Sequence, residues 1–209
     1  MRWVALTGAT CSVLRLQSDT PASWVQAVEP VLDEVLLDHA WLETRAAGVA
    51  LGLLSRVAEV HGAAESLTAL AQEELEHFGR CRVLLSARGI HFRRLLPATY
   101  ARRLHDRAEP GLVDRLLVCA LIEARSCERM RRLSEGLGEQ LLREFYADLL
   151  TSEARHFSLY VDLARWAVPG ADVDGALDRL AKIEAEVLES APFEARLHGG
   201  PNQANSTAS

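Results

Sequence analysis

The sequence predicts an all-α protein: a bundle of four antiparallel helices, with a long crossover between two helix pairs and an extra C-terminal helix. The chain of 209 residues contains only 13 glycines and 7 prolines, and it is dominated by Leu, Ala, Arg and Glu, which are good helix formers. Apolar residues recur at alternating spacings of three and four in several long segments, as on the buried face of a helix. Gly and Pro clusters separate these segments.

The first helix pair occupies the N-terminal half of the chain. The first predicted helix covers residues 21–60 and ends at His61-Gly62, and the second covers residues 63–87. Gly89 is the expected C-terminal stop, because glycine readily adopts the left-handed conformation that ends many helices. Residues 90–109 contain a proline and have weak periodicity. They are therefore predicted to form a long, partly helical crossover.

The second helix pair and an amphipathic segment follow the crossover. Helices are predicted over residues 111–135, 139–168 and 173–188, separated by Gly and Pro turns. Two helix pairs joined by a long crossover match the connectivity of ferritin-like bundles. We therefore predict one helical domain over residues 1–189. Residues 190–209 are rich in Gly, Asn, Ser and Ala, a composition that predicts a disordered tail.

Composition restricts the compartment and the partners. Residues 1–20 lack the apolar core of a signal peptide, and no apolar run approaches the roughly 20 residues of a membrane helix. We therefore expect a cytoplasmic protein that does not contact a membrane. The four cysteines show no Cys-x-x-Cys spacing, which argues against a zinc-ribbon or rubredoxin-type site. The formal net charge of −6 by itself argues against nucleic acid.

Polar residues interrupt the apolar stripes of the four long helices at one level. The second and fourth helices each carry a Glu and, three residues later, a His in the stripe, and the first and third carry one Glu each. These six residues are Glu43, Glu74, His77, Glu123, Glu153 and His156. The spacing is internally repeated, because Glu43 precedes Glu74 by 31 residues and Glu123 precedes Glu153 by 30. Such a repeat indicates a duplicated half-site.

Buried carboxylates at this density require compensating positive charge. One Glu from each of two helices, with Glu-x-x-His from each of the other two, is the pattern of di-iron and di-manganese carboxylate sites. The remaining polar residues nearby are given other roles. His39 lies at the edge of the stripe and is predicted to be structural, whereas Asp38, Glu73 and Glu76 are predicted to be surface charges or to support the ligands.

Residues one helical turn from the predicted ligands are candidates for lining a dry pocket beside the ions. They are Ala47, Leu70, Cys81, Cys127, Leu149 and Tyr160.

Several longer motifs make the sequence resemble the tRNA 2-methylthio-isopentenyladenosine hydroxylases. The most specific is Glu-Ala-Arg-Ser-Cys-Glu-Arg at residues 123–129. The other matching stretches are residues 20–25, 37–40, 46–47, 73–78 and 152–157. At Thr44-Arg45 the chain departs from the lysine-rich stretch expected in the family, which affects surface contacts only.

The resemblance implies hydroxylation of the isopentenyl side chain on the modified adenosine beside the anticodon. It implies two iron ions held by the six residues named above, O2 as co-substrate, and two electrons from a separate reductase or ferredoxin. Within this interpretation, arginines of the crossover are predicted to bind tRNA phosphates. They are Arg93, Arg94, Arg102, Arg103 and Arg107, and Arg125, Arg129, Arg131 and Arg132 are expected to extend the same surface.

Three other hypotheses remain open at this stage. A ferritin- or rubrerythrin-like protein that handles iron or peroxide would share the metal site, although the Cys-x-x-Cys module usual in rubrerythrins is missing from this sequence. A di-iron oxygenase acting on a small molecule would not need a basic crossover. A non-enzymatic helical interaction module would leave the repeated buried carboxylates unexplained. The sequence does not fix the oligomeric state or the choice between iron and manganese.

Overall fold

The computed structural model describes residues 14–201, and the regular elements of this part are α-helices and two short 3-10 turns, with one isolated bridge between Phe193 and Gly200. In chain order the helices are α1 (Ser23–Val28), α2 (Leu32–Leu53), α3 (Ala63–Ala87), α4 (Tyr100–Arg107), α5 (Leu112–Gly136), α6 (Gln140–Ala167) and α7 (Val173–Glu189). The predicted all-α bundle with a crossover and an extra C-terminal helix is confirmed. None of the described helices is both long and apolar enough to cross a membrane.

The first predicted helix is divided in the structure. A 3-10 turn at Glu29–Val31 separates α1 from α2, because Pro30 has no N–H to continue the α-helical pattern. A second 3-10 turn at Leu54–Arg56 ends α2 earlier than the periodicity predicts. At the end of α3, Gly89 has a φ of 72°. It lets the N–H of Ile90 donate to the Leu85 carbonyl at 2.9 Å, which satisfies a terminal acceptor.

The helices α2, α3, α5 and α6 form the bundle, and its core has two apolar halves. One half lies toward the C-terminal end of α2 and includes Leu53, Leu67 and Leu163. The other lies toward the N-terminal end of α2 and includes Leu36 and Leu142. The six predicted ligands lie between these halves. Buried apolar side chains on both sides therefore keep water away from this level of the bundle.

The crossover and α7 pack on the outside of the bundle. Tyr100 and Leu104 of α4 are buried, and the Tyr100 hydroxyl donates to Glu184 of α7 at 2.7 Å. Arg103 donates to the Val187 carbonyl at 3.0 Å. These bonds attach the crossover helix to α7, so that α4 has a fixed position beside α2 and α5.

Residues 190–201 pack against the bundle, which differs from the disordered tail predicted from their composition. Leu197 and His198 are buried, and the Leu197 N–H donates to the buried Asp38 carboxylate at 3.0 Å. Arg129 donates to the Gly199 carbonyl at 2.9 Å. Polar groups far away in sequence therefore hold this segment, and composition does not reveal them. Residues 202–209 lie outside the described part, so a tail boundary there stays a prediction.

Candidate metal centre

The structure brings the six predicted ligands together in two overlapping groups. One group is Glu43, Glu74, His77 and Glu153, and the other is Glu74, Glu123, Glu153 and His156; in each, one ligand atom per residue lies within 4.8 Å of the others. Glu74 and Glu153 belong to both groups. All six side chains are buried, with at most 7% of the residue surface exposed.

Several atoms of this cluster face inward without a hydrogen bond. In the described part of the chain, four buried atoms of the cluster lie close to other ligand atoms but make no hydrogen bond of good geometry, namely Glu74 Oε1, His77 Nδ1, Glu153 Oε1 and His156 Nδ1. His156 Nδ1 lies 2.8 Å from Glu74 Oε1, and His77 Nδ1 lies 3.6 Å from Glu43 Oε2. Unsatisfied buried polar atoms are costly, and cations between them would remove that cost. Four carboxylates and two imidazoles suit hard, redox-active ions such as iron or manganese.

The pKa values show how the negative charges of the cluster are compensated when no metal ion is bound. Burial raises the pKa of Glu123 to about 8, and the charge of Glu74 adds to this effect. Burial and the charges of Glu123 and Glu74 also hold the pKa of Glu153 well above its usual range. Burial opposes the imidazolium form of His77, but the neighbouring carboxylates of Glu43 and Glu74, each 3.6 Å from Nδ1, raise its pKa to about 9. Bound protons therefore supply the compensating positive charge of this cluster when no metal ion is bound.

The outer atoms of the two histidines have partners that fix the ring orientation. His156 Nε2 lies 2.9 Å from Glu73 Oε2, and His77 Nε2 lies 3.4 Å from the Ser152 hydroxyl. In both rings Nδ1 therefore points to the cluster. A carboxylate behind a ligating histidine raises its basicity and fixes its tautomer. Glu73 is thus a support for His156, which was one of its two predicted roles.

His39 supports the cluster from α2. Its Nε2 lies 2.5 Å from Glu43 Oε1, and its Nδ1 lies 3.5 Å from the Cys81 sulfur. His39 belongs to neither potential ligand group. It orients one oxygen of Glu43 and leaves the other, Oε2, toward His77, which is a structural role of the kind predicted.

A cavity of about 260 Å³ leads from the carboxylates to the surface between α2, α4 and α5. Its inner wall contains the four glutamates of the cluster but neither of the two ligand histidines. Its mouth contains Arg45, Arg102 and His105. Most of the rest is apolar or aromatic: Leu42, Ala46, Val49, Pro97, Ala98, Tyr100, Ala101, Cys119, Ile122, Met130 and Tyr160.

The cavity wall differs in part from the predicted pocket. Tyr160 lines it, but Cys127 does not, because the face of α5 toward the cavity carries Ile122, Ser126 and Met130. Cys127 points instead toward α6, where its sulfur contacts the Leu150 carbonyl at 3.6 Å. Ala47, Leu70, Cys81 and Leu149 are buried core residues outside the cavity lining.

His198 is a cavity residue that the sequence did not suggest. Its Nε2 lies 3.0 Å from the Ser126 hydroxyl, and its ring lies 4.9 Å from that of Tyr100. Burial, together with the charges of Arg129 and Arg125, lowers the pKa of His198 to about 3. The ring is therefore neutral, and with Ser126 it forms a small polar patch in a mostly apolar wall.

The predicted phosphate-binding arginines fall into different environments. Arg93 pairs with Glu34, and Arg107 pairs with Glu186. Arg103 bonds to Val187 and to the Ser190 hydroxyl. Among the described residues, Arg94 and Arg102 are exposed and have no hydrogen bond or ion pair. These two guanidinium groups are therefore available to a ligand.

Arg125 and Arg129 are fully buried, so they do not extend the basic surface as predicted. Arg125 makes a two-pronged pair with Glu184 at 2.8 and 2.9 Å, and it donates to Glu128 at 3.0 Å. Arg129 lies over the ring of Trp24 at 4.0 Å. The specific motif at residues 123–129 therefore joins α5, α7 and the C-terminal segment, besides supplying Glu123 and Ser126.

Arg131 and Arg132 are partly buried and pair with acids of their own helix, Arg131 with Glu135 and Arg132 with Glu128. These pairs reduce the positive charge that α5 offers to a ligand.

Comparisons with known proteins agree with this architecture. The chain is 38% identical over 189 residues to the tRNA 2-(methylsulfanyl)-N(6)-isopentenyladenosine(37) hydroxylase of Pseudomonas putida, covering 88% of this chain and 92% of the relative. It is 35% identical over 142 residues to the enzyme of the same name from Salmonella typhimurium, covering 65% of this chain and 51% of that protein.

A solved structure described as protein 43 with aldehyde deformylating oxygenase activity, from Synechococcus, superposes with a TM-score of 0.82 at 40% identity. The superposition covers 88% of this chain and 95% of that one. The model of the family described as tRNA-(MS[2]IO[6]A)-hydroxylase (MiaE) matches residues 9–199. Nearly the whole chain fits that model, and the chain therefore belongs to the MiaE family.

Proposed function

We propose that this protein hydroxylates the isopentenyl side chain of 2-methylthio-isopentenyladenosine next to the anticodon of tRNA. The observation that carries the proposal is the apolar cavity that ends on a buried cluster of four carboxylates and two imidazoles. Membership of the MiaE family supports the choice of substrate.

The six cluster residues would hold two iron ions, and Glu74 and Glu153 are members of both potential ligand groups. When bound, a reduced iron pair supplies the activation of O2 that attack on an unactivated C–H bond requires. Glu73 and Ser152 hold the imidazoles of His156 and His77 in the tautomer that presents Nδ1. His39 orients Glu43 in the same way from α2.

The cavity explains how a macromolecular substrate reaches a buried site. Its volume of about 260 Å³ lies near the lower end of ligand pockets. It suits one branched hydrocarbon side chain, while the sugar, the phosphate and the rest of the RNA stay outside. Ile122, Met130 and Tyr160 would contact the side chain and exclude water. Ser126 and His198 offer a hydrogen-bonding group to the part of the base that enters.

Positive charge at the mouth suits a polyanion. Arg45 and Arg102 line the mouth, and exposed Arg94 lies on the same crossover. Guanidinium groups form forked, charge-assisted hydrogen bonds with phosphate oxygens. The local charge therefore favours RNA although the chain as a whole carries −6. Two electrons per turnover would come from a separate reductase or ferredoxin.

The decisive test is genetic. Deletion of the gene, followed by mass spectrometry of digested tRNA nucleosides, should remove hydroxylated isopentenyladenosine and accumulate its unhydroxylated precursor. Complementation with Glu123→Gln or Glu153→Gln should not restore the product, whereas Glu76→Gln, an exposed change on α3, should restore it. An unchanged nucleoside profile in the deletion strain would exclude the proposed substrate.

Charge reversal tests the RNA-binding surface separately. Arg94→Glu and Arg102→Glu, made singly, should each weaken tRNA binding and flatten its salt dependence, because each phosphate contact contributes roughly 0.7 to 0.9 to the slope of log K against log salt. Iron content should not change. Arg56→Glu, which makes the same change at an exposed position in the α2–α3 connection, is the matched control. If Arg56→Glu weakens tRNA binding as much as Arg94→Glu or Arg102→Glu, only the net charge of the protein matters and the assignment of the RNA-binding surface is wrong.

A second candidate function has one specific observation behind it. The solved structure with 40% identity is described as having aldehyde deformylating oxygenase activity, and an apolar cavity of this size would also accept a short aliphatic aldehyde. Parallel assays of the iron-loaded protein with an aldehyde and with the modified RNA distinguish the two candidate functions. Hydrocarbon formation without RNA hydroxylation would favour the aldehyde.

A further inference from the structure

An exposed ladder of aromatic rings lies beside the cavity mouth and has no role in the site described above. The rings of Trp41 and Phe92 stack with centroids 4.8 Å apart and planes 28° from parallel. Phe78 meets Phe92 edge to face at 5.3 Å. Phe92 is 39% exposed, while Trp41 and Phe78 are half-buried. We call these three residues the aromatic ladder.

Guanidinium groups lie at both ends of the aromatic ladder. Arg45 lies 5.9 Å from the centroid of the Trp41 ring, and Arg82 lies 5.8 Å from that of Phe78. These are long cation–π distances, near the limit for an attractive contact. Within the described chain, neither arginine lies within ion-pair distance of a carboxylate, although the charge of Arg45 acts at longer range on buried Asp38. Both side chains can therefore turn toward a phosphate without breaking a strong bond.

The position of the aromatic ladder is fixed relative to the cavity. The Trp41 indole N–H donates to the Arg93 carbonyl at 3.0 Å, which ties α2 to the start of the crossover. Arg93 is held in turn by Glu34 of α2. Arg45, which covers the ring of Trp41, also lines the cavity mouth. A group stacked on the ladder would therefore lie one side chain away from the entrance.

We propose that the aromatic ladder is a stacking platform for unpaired nucleobases of an RNA loop, which holds the loop while one modified base presents its side chain to the cavity. Aromatic rings interleaved with unpaired arginines are typical of surfaces that bind single-stranded nucleic acid, because every base has a face to stack and every nucleotide has a phosphate. A protein partner of ordinary composition would instead meet uncompensated positive charge. The proposal rests on the proposed function only for the identity of the RNA.

The experiment measures the binding of a fluorescently labelled anticodon stem-loop to the iron-loaded full chain over a range of salt concentrations. Phe92→Ala should weaken binding by about 5- to 150-fold, the loss expected for one stacked base, without changing the salt slope. Phe92→Tyr should keep the affinity, because it keeps the ring. Arg45→Gln should lower both the affinity and the slope.

Two controls test for non-specific effects. Trp166→Ala removes another exposed aromatic ring, 52% exposed, which shares a surface hollow with Glu59 and His61 of the α2–α3 connection, away from the crossover. It should bind like the wild type. A blunt RNA duplex without a loop should bind the wild type and Phe92→Ala equally. On RNA substrate Phe92→Ala should raise KM and keep kcat, with iron content unchanged.

Three results overturn the proposal. One is unchanged stem-loop affinity in Phe92→Ala. Another is an equal loss of affinity for the duplex. The third is unchanged RNA affinity with slower reduction by an electron-transfer protein, which would make the ladder a protein-docking surface. If the wild type binds the stem-loop through Phe92 but never hydroxylates it, the platform stands and the proposed function fails. If hydroxylation occurs and Phe92→Ala binds normally, only the platform fails.

Discussion

Loading the candidate metal centre should release protons in a countable way, and this prediction follows from the geometry of the cluster. At pH 7 the imidazoles of His77 and His156, with pKa values of about 9, carry a proton each. Glu123, with a pKa of about 8, carries another. Two bound divalent ions need ionised carboxylates and neutral imidazoles. We therefore expect about three protons to leave as two ions enter.

The consequence is a steep pH dependence of metal affinity. With about 1.5 protons displaced per ion, the apparent affinity should fall roughly 30-fold per ion for each unit that the pH drops below the Glu123 pKa of about 8. The sign follows from competition, because protons occupy the ligand atoms at low pH. Titration calorimetry with Mn²⁺, in buffers of different protonation enthalpy, gives the proton number directly and needs no enzymatic activity.

Variants of single cluster residues identify the groups that release these protons on metal binding. Glu123→Gln should lose one ion and reduce the proton release by about two per chain, since it removes the protonated carboxyl and leaves His156 of the same ligand group without an ion to displace its proton. Glu76→Gln, on an exposed part of α3, should behave like the wild type. Binding of two ions with release of fewer than one proton would refute the charge balance described here. Equal effects of the two variants would refute the assignment of the site.

Three other perturbations test the surroundings of the site. Glu73→Gln should lower metal affinity about 10- to 100-fold, because the acceptor behind His156 is weakened, and metal titration measures the change. Arg125→Met should destabilise the protein by about 3–5 kcal/mol in urea unfolding, because Glu184 is left buried without its partner. Adding Glu184→Leu should recover part of that loss. His198 has a folded-state pKa of about 3 against 6.5 for an exposed ring, so between these values only the unfolded chain takes up the proton. Protonation of His198 in the unfolded chain therefore lowers the free energy of unfolding by about 2 kcal/mol between pH 7 and 5. His198→Phe should remove this part of the pH dependence when unfolding is measured at both pH values.

The helices and the predicted ligands could be found from sequence because both depend on local periodicity. Glu74 and His77 stand in an apolar stripe, and three-residue spacing alone places them on one face of α3. The same three-residue spacing, repeated in the second half of the chain, places Glu153 and His156 on one face of α6. The breaks in the first helix were harder to predict, because a short 3-10 turn at Glu29–Val31 keeps the direction of the chain and barely disturbs the apolar pattern.

Features that depend on distant partners were not predicted correctly. Arg125 looks like a surface charge until Glu184, 59 residues away, is seen to bind it. Residues 190–201 look disordered by composition, but Asp38, 159 residues away from Leu197, holds them. Such pairs are specified by tertiary packing, which no short window of sequence contains. The contact of Trp41 with Phe92 belongs to the same class.

The cluster has two unlike sides. The cavity wall contains its glutamates but neither His77 nor His156, whose outer atoms face Ser152 and Glu73 between α3 and α6. Exposed Arg155, paired with Glu73, marks that rim. A molecule in the cavity and a protein docked over Arg155 would approach from opposite directions. Delivery of electrons through the imidazole side would thus be compatible with a substrate that stays in place throughout turnover.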